Sequence, residues 1–330
     1  FSKRTGSRSR SRFEVAEMAL PARYAAAICS LFFFACSSDT GIPIPDDVMG
    51  EMRSFVIGLS DYARSNDPDF IVIPQNGHEL VTMNGEHDGQ PAQDYLDAID
   101  GGGQEDFNYG YDGDGVPMPD DEKALLKGFL DILESNSKQV LVIDYCADWN
   151  SLTASQEIDN SYAWNESNNY ITFATTDREL SSIPAYPAAP YEGDNENIAS
   201  LAYTKNFLYL LNSVDYASNA AYLAALQGTG HDLLIIDLYY EDGVTALSSL
   251  DVASLKTKSG GGTRLVLAYM SIGEAEDYRY YWRDSWRPGH PSWLDRENPD
   301  WKGNYKVHFW DSDWQSIIFG NDGSYLKKIL

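Results

Sequence analysis

Four apolar runs limit what this chain can fold into: IVIP (71–74), VLVID (140–144), LLIID (233–237) and LVLAYM (265–270). Each is too short for a buried helix, and none shows the alternation of a strand with one wet face. Each therefore reads as a strand covered on both sides. ITFAT (171–175) and FLYLL (207–211) read the same way. Between them lie helical patterns. In 49–66, Met52, Phe55, Val56, Leu59 and Tyr62 fall at helical spacing. A second helix is expected over 121–136, behind Pro119 with Asp120 as its cap, and others near 219–228 and 246–258. Covered strands alternating with helices imply a parallel sheet. Seven strands are expected, starting near Phe207, Leu233, Leu265, Phe70, Ala98, Val140 and Ile171. Gln75, Asp144, Asp237 and Ser271 stand at or near the C-terminal ends of such strands, where an eight-stranded (β/α)8 barrel builds its site. A TIM-type barrel is the expected fold, and an open doubly wound sheet comes second.

Charge narrows the partners. The chain carries 24 Lys and Arg against 50 Asp and Glu, a net −26. Such a surface repels nucleic acid and anionic lipid and attracts cationic ligands. Residues 18–36 have the makeup of an export signal, with one Arg, an apolar stretch from Tyr24 to Ala35, and small residues before Cys36. FFAC followed by SSD is similar to a lipoprotein cleavage box, with Cys36 as the lipidated residue. The expected destination is the bacterial surface or periplasm, or alternatively free secretion, and any membrane contact is through that lipid. Cys29 and Cys36 fall in the signal, leaving Cys146 alone and no disulfide framework. The expected layout is an upstream segment (1–17), the signal (18–36), a linker (37–47), two barrel halves (48–182 and 205–330), and a Pro-rich acidic connector (183–204).

Several chemistries find no support. The run GGGQED (101–106) lacks the glycine spacing of a dinucleotide loop. DGDG (112–115) is followed by Val116 and Lys123, where a calcium loop needs oxygen ligands. The five His residues show no metal-binding spacing, and there is no G-x-S-x-G elbow. No cofactor or metal is expected.

Three longer stretches, IPQNGHEL (73–80), YMSIGEAEDYRYYW (269–282) and NPDWKGNYKVHFWD (298–311), carry a family resemblance. With YLDAIDGGGQEDFNYGY (95–111) and VLVIDYC (140–146), they resemble the endo-α-1,4-polygalactosaminidase-like group, glycoside hydrolase family 114 and its bacterial relatives. The likeness spans roughly residues 48–330. It implies a (β/α)8 barrel that hydrolyses galactosamine-containing polysaccharide. The motifs stand in an order that fits a circular permutation, with the second half first and the connector tethering the usual termini. It also implies a fourth strand ending in a nucleophilic Asp, expected beyond Leu330.

Glycosidases use two carboxyl groups about the scissile bond. The resemblance puts the acid/base at Glu79, behind the Gln75-Asn76-Gly77 turn; from position alone, a carboxylate serving a helix N-terminus is an equal reading. Asp144 and Asp237 end apolar strands and are candidates to bind substrate hydroxyl or amine groups, or are carboxylates satisfied within the protein. Glu274, Glu276 and Arg279 are candidates at the mouth, with a structural Glu–Arg pair as the other reading. Gln75, Asn76, Tyr269, Tyr281 and Trp282 complete the candidate binding set. Six of the eight Trp lie between Trp282 and Trp314, an array that reads either as a sugar-stacking platform or as core. A cationic amino-sugar polymer suits the acidic surface. A non-catalytic polysaccharide-binding barrel is the alternative function, and a surface protein binding a protein partner a third.

Overall fold

A computed structural model describes residues 43–330; the segment expected to be an export signal (18–36), with Cys36, and segment 1–17 lie outside the described residues. Helix α1 (Val48–Asn66) opens the fold, its first turn capped by Asp47, whose Oδ1 accepts from Gly50 N at 2.8 Å. Of its expected stripe, Met52, Phe55, Val56 and Leu59 are buried against the core and Tyr62 is half-buried at its margin. There follow α2 (Gln93–Ala98), β1 (Gly101–Glu105), a hairpin of β2 (Tyr109–Gly110) and β3 (Gly113–Pro117), α3 (Asp120–Ser135), β4 (Gln139–Tyr145), α4 (Ala154–Glu166) and β5 (Ile171–Thr175). Asp120 lies inside the first turn of α3 rather than capping it; Pro119 holds the cap position.

The connector leads to β6 (Phe207–Leu210), α5 (Asn219–Gln227), β7 (Leu233–Asp237), α6 (Ser249–Leu255) and β8 (Leu265–Tyr269). A small antiparallel layer of β9 (Glu274–Glu276), β10 (Leu294–Glu297) and β11 (Asn304–Val307) comes next, then α7 (Ser312–Ile318) and α8 (Tyr325–Ile329).

Among the described residues the strands do not close into a barrel, and the expected (β/α)8 fold is corrected here. Two separate three-stranded parallel sheets form, β1-β4-β5 and β6-β7-β8, so the chain is a mixed α/β protein. With no ring, a permuted order of one has no basis either. The break has local physical reasons. Between β5 and β6 no ladder forms; the strands meet through side chains, with the Phe173 and Phe207 rings 5.8 Å apart. The strand expected from Phe70 is an extended segment that meets β1 only by an isolated bridge, Gln75 with Gly103. Pro74, which has no N–H to donate, interrupts it. Among the described residues the outer edge of β8 pairs with no strand, and Leu265–Tyr269 is half-buried along its length.

One apolar cluster nonetheless joins the two sheets. Leu141, Ile143 and Phe173 pack with Phe207, Leu234 and Ile236, all at most 3% exposed. Burial of each such side chain is worth about 1.5–3 kcal/mol relative to exposure. The connector is pinned rather than loose: Tyr191 stacks on Tyr162 at 4.6 Å, and Tyr186 donates to Asp159 at 2.6 Å. At the base of β7, Lys258 and Asp232, both with fully buried side chains, pair at 2.8 Å.

Candidate functional site

The carboxyl end of β1 and the turn beside it make a cleft. Its local fold starts with glycines. A Cβ on Gly103 would lie 2.8 Å from Gln75 Oε1, and one on Gly102 would lie 2.6 Å from Leu133 Cδ1 and 3.3 Å from the His78 ring. Gly102 and Gly103 therefore let the 75–78 turn rest directly on β1. There Gly103 N donates to Pro74 O at 2.9 Å, and Asn76 N donates to Gly103 O at 2.7 Å. Asn76 and Gly77 both take left-handed backbone, φ 57° and 63°, a conformation these two residue types tolerate best. This reversal turns the chain into the single-turn helix His78–Val81, which carries Glu79. Buried Arg53 of α1 holds that turn, donating to Thr82 O at 2.9 Å.

Glu79 therefore faces the cleft from a fixed turn. It lines the cleft together with Asn76, His78, Glu105, Asp106 and Glu122. No Lys or Arg is among the lining residues, so the cleft is an acidic recess. Burial raises the Glu79 carboxyl above the usual carboxylate range. Neighbouring His78 is buried and pushed down to about 4, which leaves it neutral at pH 7.

The residue that the sequence reading missed is Glu105. It ends β1, and its carboxylate is held at both oxygens. Tyr145 donates to Oε1 at 2.8 Å, and Asn76 Nδ2 donates to Oε2 at 3.1 Å. Asn76 Oδ1 also accepts from Glu105 N at 3.1 Å, so one amide grips this residue twice. The available signal is GGGQED, an apolar-free strand that ends in Glu. Gln75 reaches the buried Tyr209 hydroxyl, and burial together with Glu105 raises Tyr145 and Tyr209 well above the ordinary phenol range. Tyr269 is raised by burial first, then by Glu276 and Glu105. Asn76 and Glu79 thus line one cleft with Glu105, Gln75 stands beside them on the same turn against Gly103, and Tyr269 feels the Glu105 charge.

The other candidates are committed to internal partners. Arg279 grips Asp237 at 2.9 and 2.6 Å and donates to Glu276 Oε2 at 2.6 Å; all three residues are under 9% exposed. Tyr278 gives Glu276 a further bond at 2.7 Å. Burial still keeps the Asp237 carboxyl above its ordinary value, against the pull of Arg279. Asp144 is fully buried and accepts from Asn108 N and Nδ2, each at 2.7 Å, and from Ser161 Oγ. Glu274 accepts from Asn298 at 2.8 Å and Asn304 at 3.2 Å. Arg279 thus pairs with Asp237 and Glu276, while Asp144 and Glu274 are held by neutral donors, Glu274 by two asparagines rather than by an Arg.

Most of the aromatic array is packing. Trp314 and Trp293, at 0% and 2% exposed, lie 5.0 Å apart, and Trp286 meets Trp293 at 5.0 Å. Half-buried Trp282 tilts over Tyr305 at 5.0 Å. The Tyr281 hydroxyl accepts from Glu276 N at 3.0 Å, and its ring packs on Trp314. Trp301 is half-exposed.

Among the described residues no group of three His, Cys, Asp or Glu is placed to hold a metal ion, and no helix is long and apolar enough to cross a membrane. Cys146 is buried and free, and burial pushes its thiol above the ordinary range.

No family model matches the chain. It is similar to an uncharacterized protein of Methanocaldococcus jannaschii, 37% identical over 135 residues, which are 41% of this chain and 36% of that one. It is also similar to an uncharacterized protein of Thermotoga maritima, 34% identical over 125 residues, 38% of this chain and 34% of the relative. A third, from Deinococcus radiodurans, is 35% identical over 116 residues, 32% and 36% of the two chains. The chain spans about a third of the length of the curated relatives it matches.

Proposed function

We propose that this protein is an exported glycoside hydrolase that cleaves within an α-linked, galactosamine-containing polysaccharide. The observation that carries the reading is a pair of carboxyl groups in unlike surroundings at one acidic cleft, Glu79 and Glu105. Glu79, raised by burial, is suited to give a proton to the glycosidic oxygen. Glu105, accepting from Tyr145 and Asn76, is suited to act at the anomeric carbon, either directly or through a water it activates. The resemblance supplies the substrate class. The lining carboxylates suit the ammonium groups of a partly deacetylated amino-sugar polymer.

The test is release of short oligosaccharides from partially deacetylated galactosaminogalactan by the parent, Glu79→Gln and Glu105→Gln. The expected result is product from the parent and a loss of about 100-fold or more in kcat for each variant. Parent binding without product would replace the hydrolase by a polysaccharide-binding module. Parent-like cleavage by either variant would remove that residue from its role.

A further inference from the structure

We infer that Arg178 is a positioning residue: it clasps the Tyr109–Pro117 hairpin against the end of β1 and, through Tyr145, sets the Glu105 carboxylate. The part concerning catalysis rests on the function proposed above; the clasp itself does not.

Arg178 stands in the loop that follows β5, and its guanidinium makes four contacts to three separate pieces of chain. Nε donates to Asp114 Oδ1 at 2.6 Å and Nη2 to Gly110 O at 2.9 Å, both in the hairpin. Nη2 also donates to Asp106 Oδ1 at 2.8 Å, one residue past Glu105. The plane lies over the Tyr145 ring, 4.0 Å from its centroid, and the Tyr145 hydroxyl is the group that donates to Glu105 Oε1. A planar guanidinium can lie flat on a ring while its in-plane N–H groups bond in several directions, a geometry that an ammonium does not reproduce.

The backbone is shaped to the clasp. Gly110 has φ 122°, and a Cβ there would lie 2.0 Å from Asp106 Oδ1 and 2.8 Å from Arg178 Nη2. Farther along the hairpin, a Cβ on Gly115 would lie 2.8 Å from Ala147 N, so the hairpin rests on the chain leaving β4. The turn between β2 and β3 carries Tyr111, which lines the cleft beside Glu79 and Glu105. One side chain thus fixes a wall of the cleft and the ring behind one of its carboxylates. Arg178 lines no part of the cleft itself; it reaches the cleft walls through Asp106 and the hairpin, and the Glu105 carboxylate through Tyr145.

The experiment uses the full chain as parent, Arg178→Gln and Tyr145→Phe, with three readouts: amide hydrogen exchange, the carboxyl resonance of Glu105 in 13C-glutamate-labelled protein (assigned with Glu105→Gln), and kcat and KM on partially deacetylated galactosaminogalactan. Arg178→Gln is expected to speed exchange at 110–116 by about 10-fold or more, move the Glu105 resonance, and lower kcat by roughly 10- to 100-fold with KM within about threefold. Tyr145→Phe keeps the ring under the guanidinium, so it should move the resonance and lower kcat while leaving exchange at 110–116 unchanged. If Arg178→Gln does not fold, Arg178→Lys carries the same comparison, since it keeps the charge and loses the fork. Unchanged hairpin exchange in the Arg178 variant overturns the clasp, and a Glu105 resonance that ignores both substitutions overturns the link through Tyr145. A parent that releases no product sinks the hydrolase reading alone, because exchange and the resonance still decide this one.

Discussion

Arg279 holds Asp237 with both ends of its guanidinium, across 42 residues of sequence, at 2.9 and 2.6 Å. The same side chain binds Glu276 and sits under the rings of Tyr278 and Tyr325. Two buried carboxylates share one cation, and β7 is thereby tied to the β9 layer. Arg279→Met should therefore lower unfolding free energy at pH 7 by about 3–5 kcal/mol, because it leaves two buried charges unpaired. The sign with pH follows from Asp237, whose folded carboxyl already sits above its ordinary value. A raised carboxyl favours the folded state below its unfolded pKa and loses that contribution as pH rises. Removing Arg279 raises it further, so the deficit of the variant should shrink between pH 7 and pH 4. Urea titrations at both values check this; equal deficits would contradict it.

Acid should act on the protein in the opposite sense through His78. Its folded pKa of about 4 lies below the ordinary 6.5, so the folded state takes up its proton later than the unfolded chain. The stabilisation is complete above pH 6.5 and is lost as pH falls toward 4, on the order of 3 kcal/mol in all. His231, also pushed down to about 4 by burial, adds a similar slope. His78→Gln should remove about half of the stability lost over that window. A variant with the parent's full slope would show that His78 is not the source.

Asp106 works against this trend and offers a separate check. Burial pushes its carboxyl up to about 6 despite Arg178. Its contribution is present below the ordinary carboxylate pKa and is lost as pH rises through 6. Stability of Asp106→Asn relative to the parent should therefore improve from pH 4 to pH 7, read from paired denaturation curves. A constant difference would argue against the shift.

The tryptophans test packing against stacking. Trp314, fully buried, donates from Nε1 to Ile272 O at 2.9 Å, and Trp293 lies beside it. Trp293→Ala should cost about 3–5 kcal/mol of stability as a core truncation. Oligosaccharide binding by the folded fraction, followed by calorimetry, should stay within about threefold of the parent. A large loss of affinity with little loss of stability would restore the platform reading.

Buried Asp144 gives a comparable test at the other sheet. Ser161→Ala removes one donor from a carboxylate with no access to water, and should cost about 1–3 kcal/mol. Thermal melts measure it directly. A neutral result would mean that the bonds from Asn108 suffice.

Periodicity and residue type alone located α1, α3 and the strands at Val140, Ile171, Phe207, Leu233 and Leu265, because burial of short apolar runs is a local demand any fold must meet. The same runs also marked Asp144 and Asp237 as carboxylates at the ends of covered strands, open to a substrate or to an internal partner. What they could not decide was closure. Whether β5 pairs with β6, and whether β8 finds a neighbour, depends on hydrogen bonds between segments far apart in sequence; here packed rings replace one ladder, and among the described residues no strand pairs with the outer edge of β8. Partners were hidden for the same reason. Asp237 reads identically whether it awaits a sugar or an arginine 42 positions away, and Glu105 gains its meaning only when Tyr145, on the next strand, and Asn76, on a left-handed turn, converge on its two oxygens. The sequence by itself determined which residues must be buried and which elements they form; the tertiary structure decided which charge meets which partner, since Coulomb and hydrogen-bond energies depend on distances that a one-dimensional pattern does not contain.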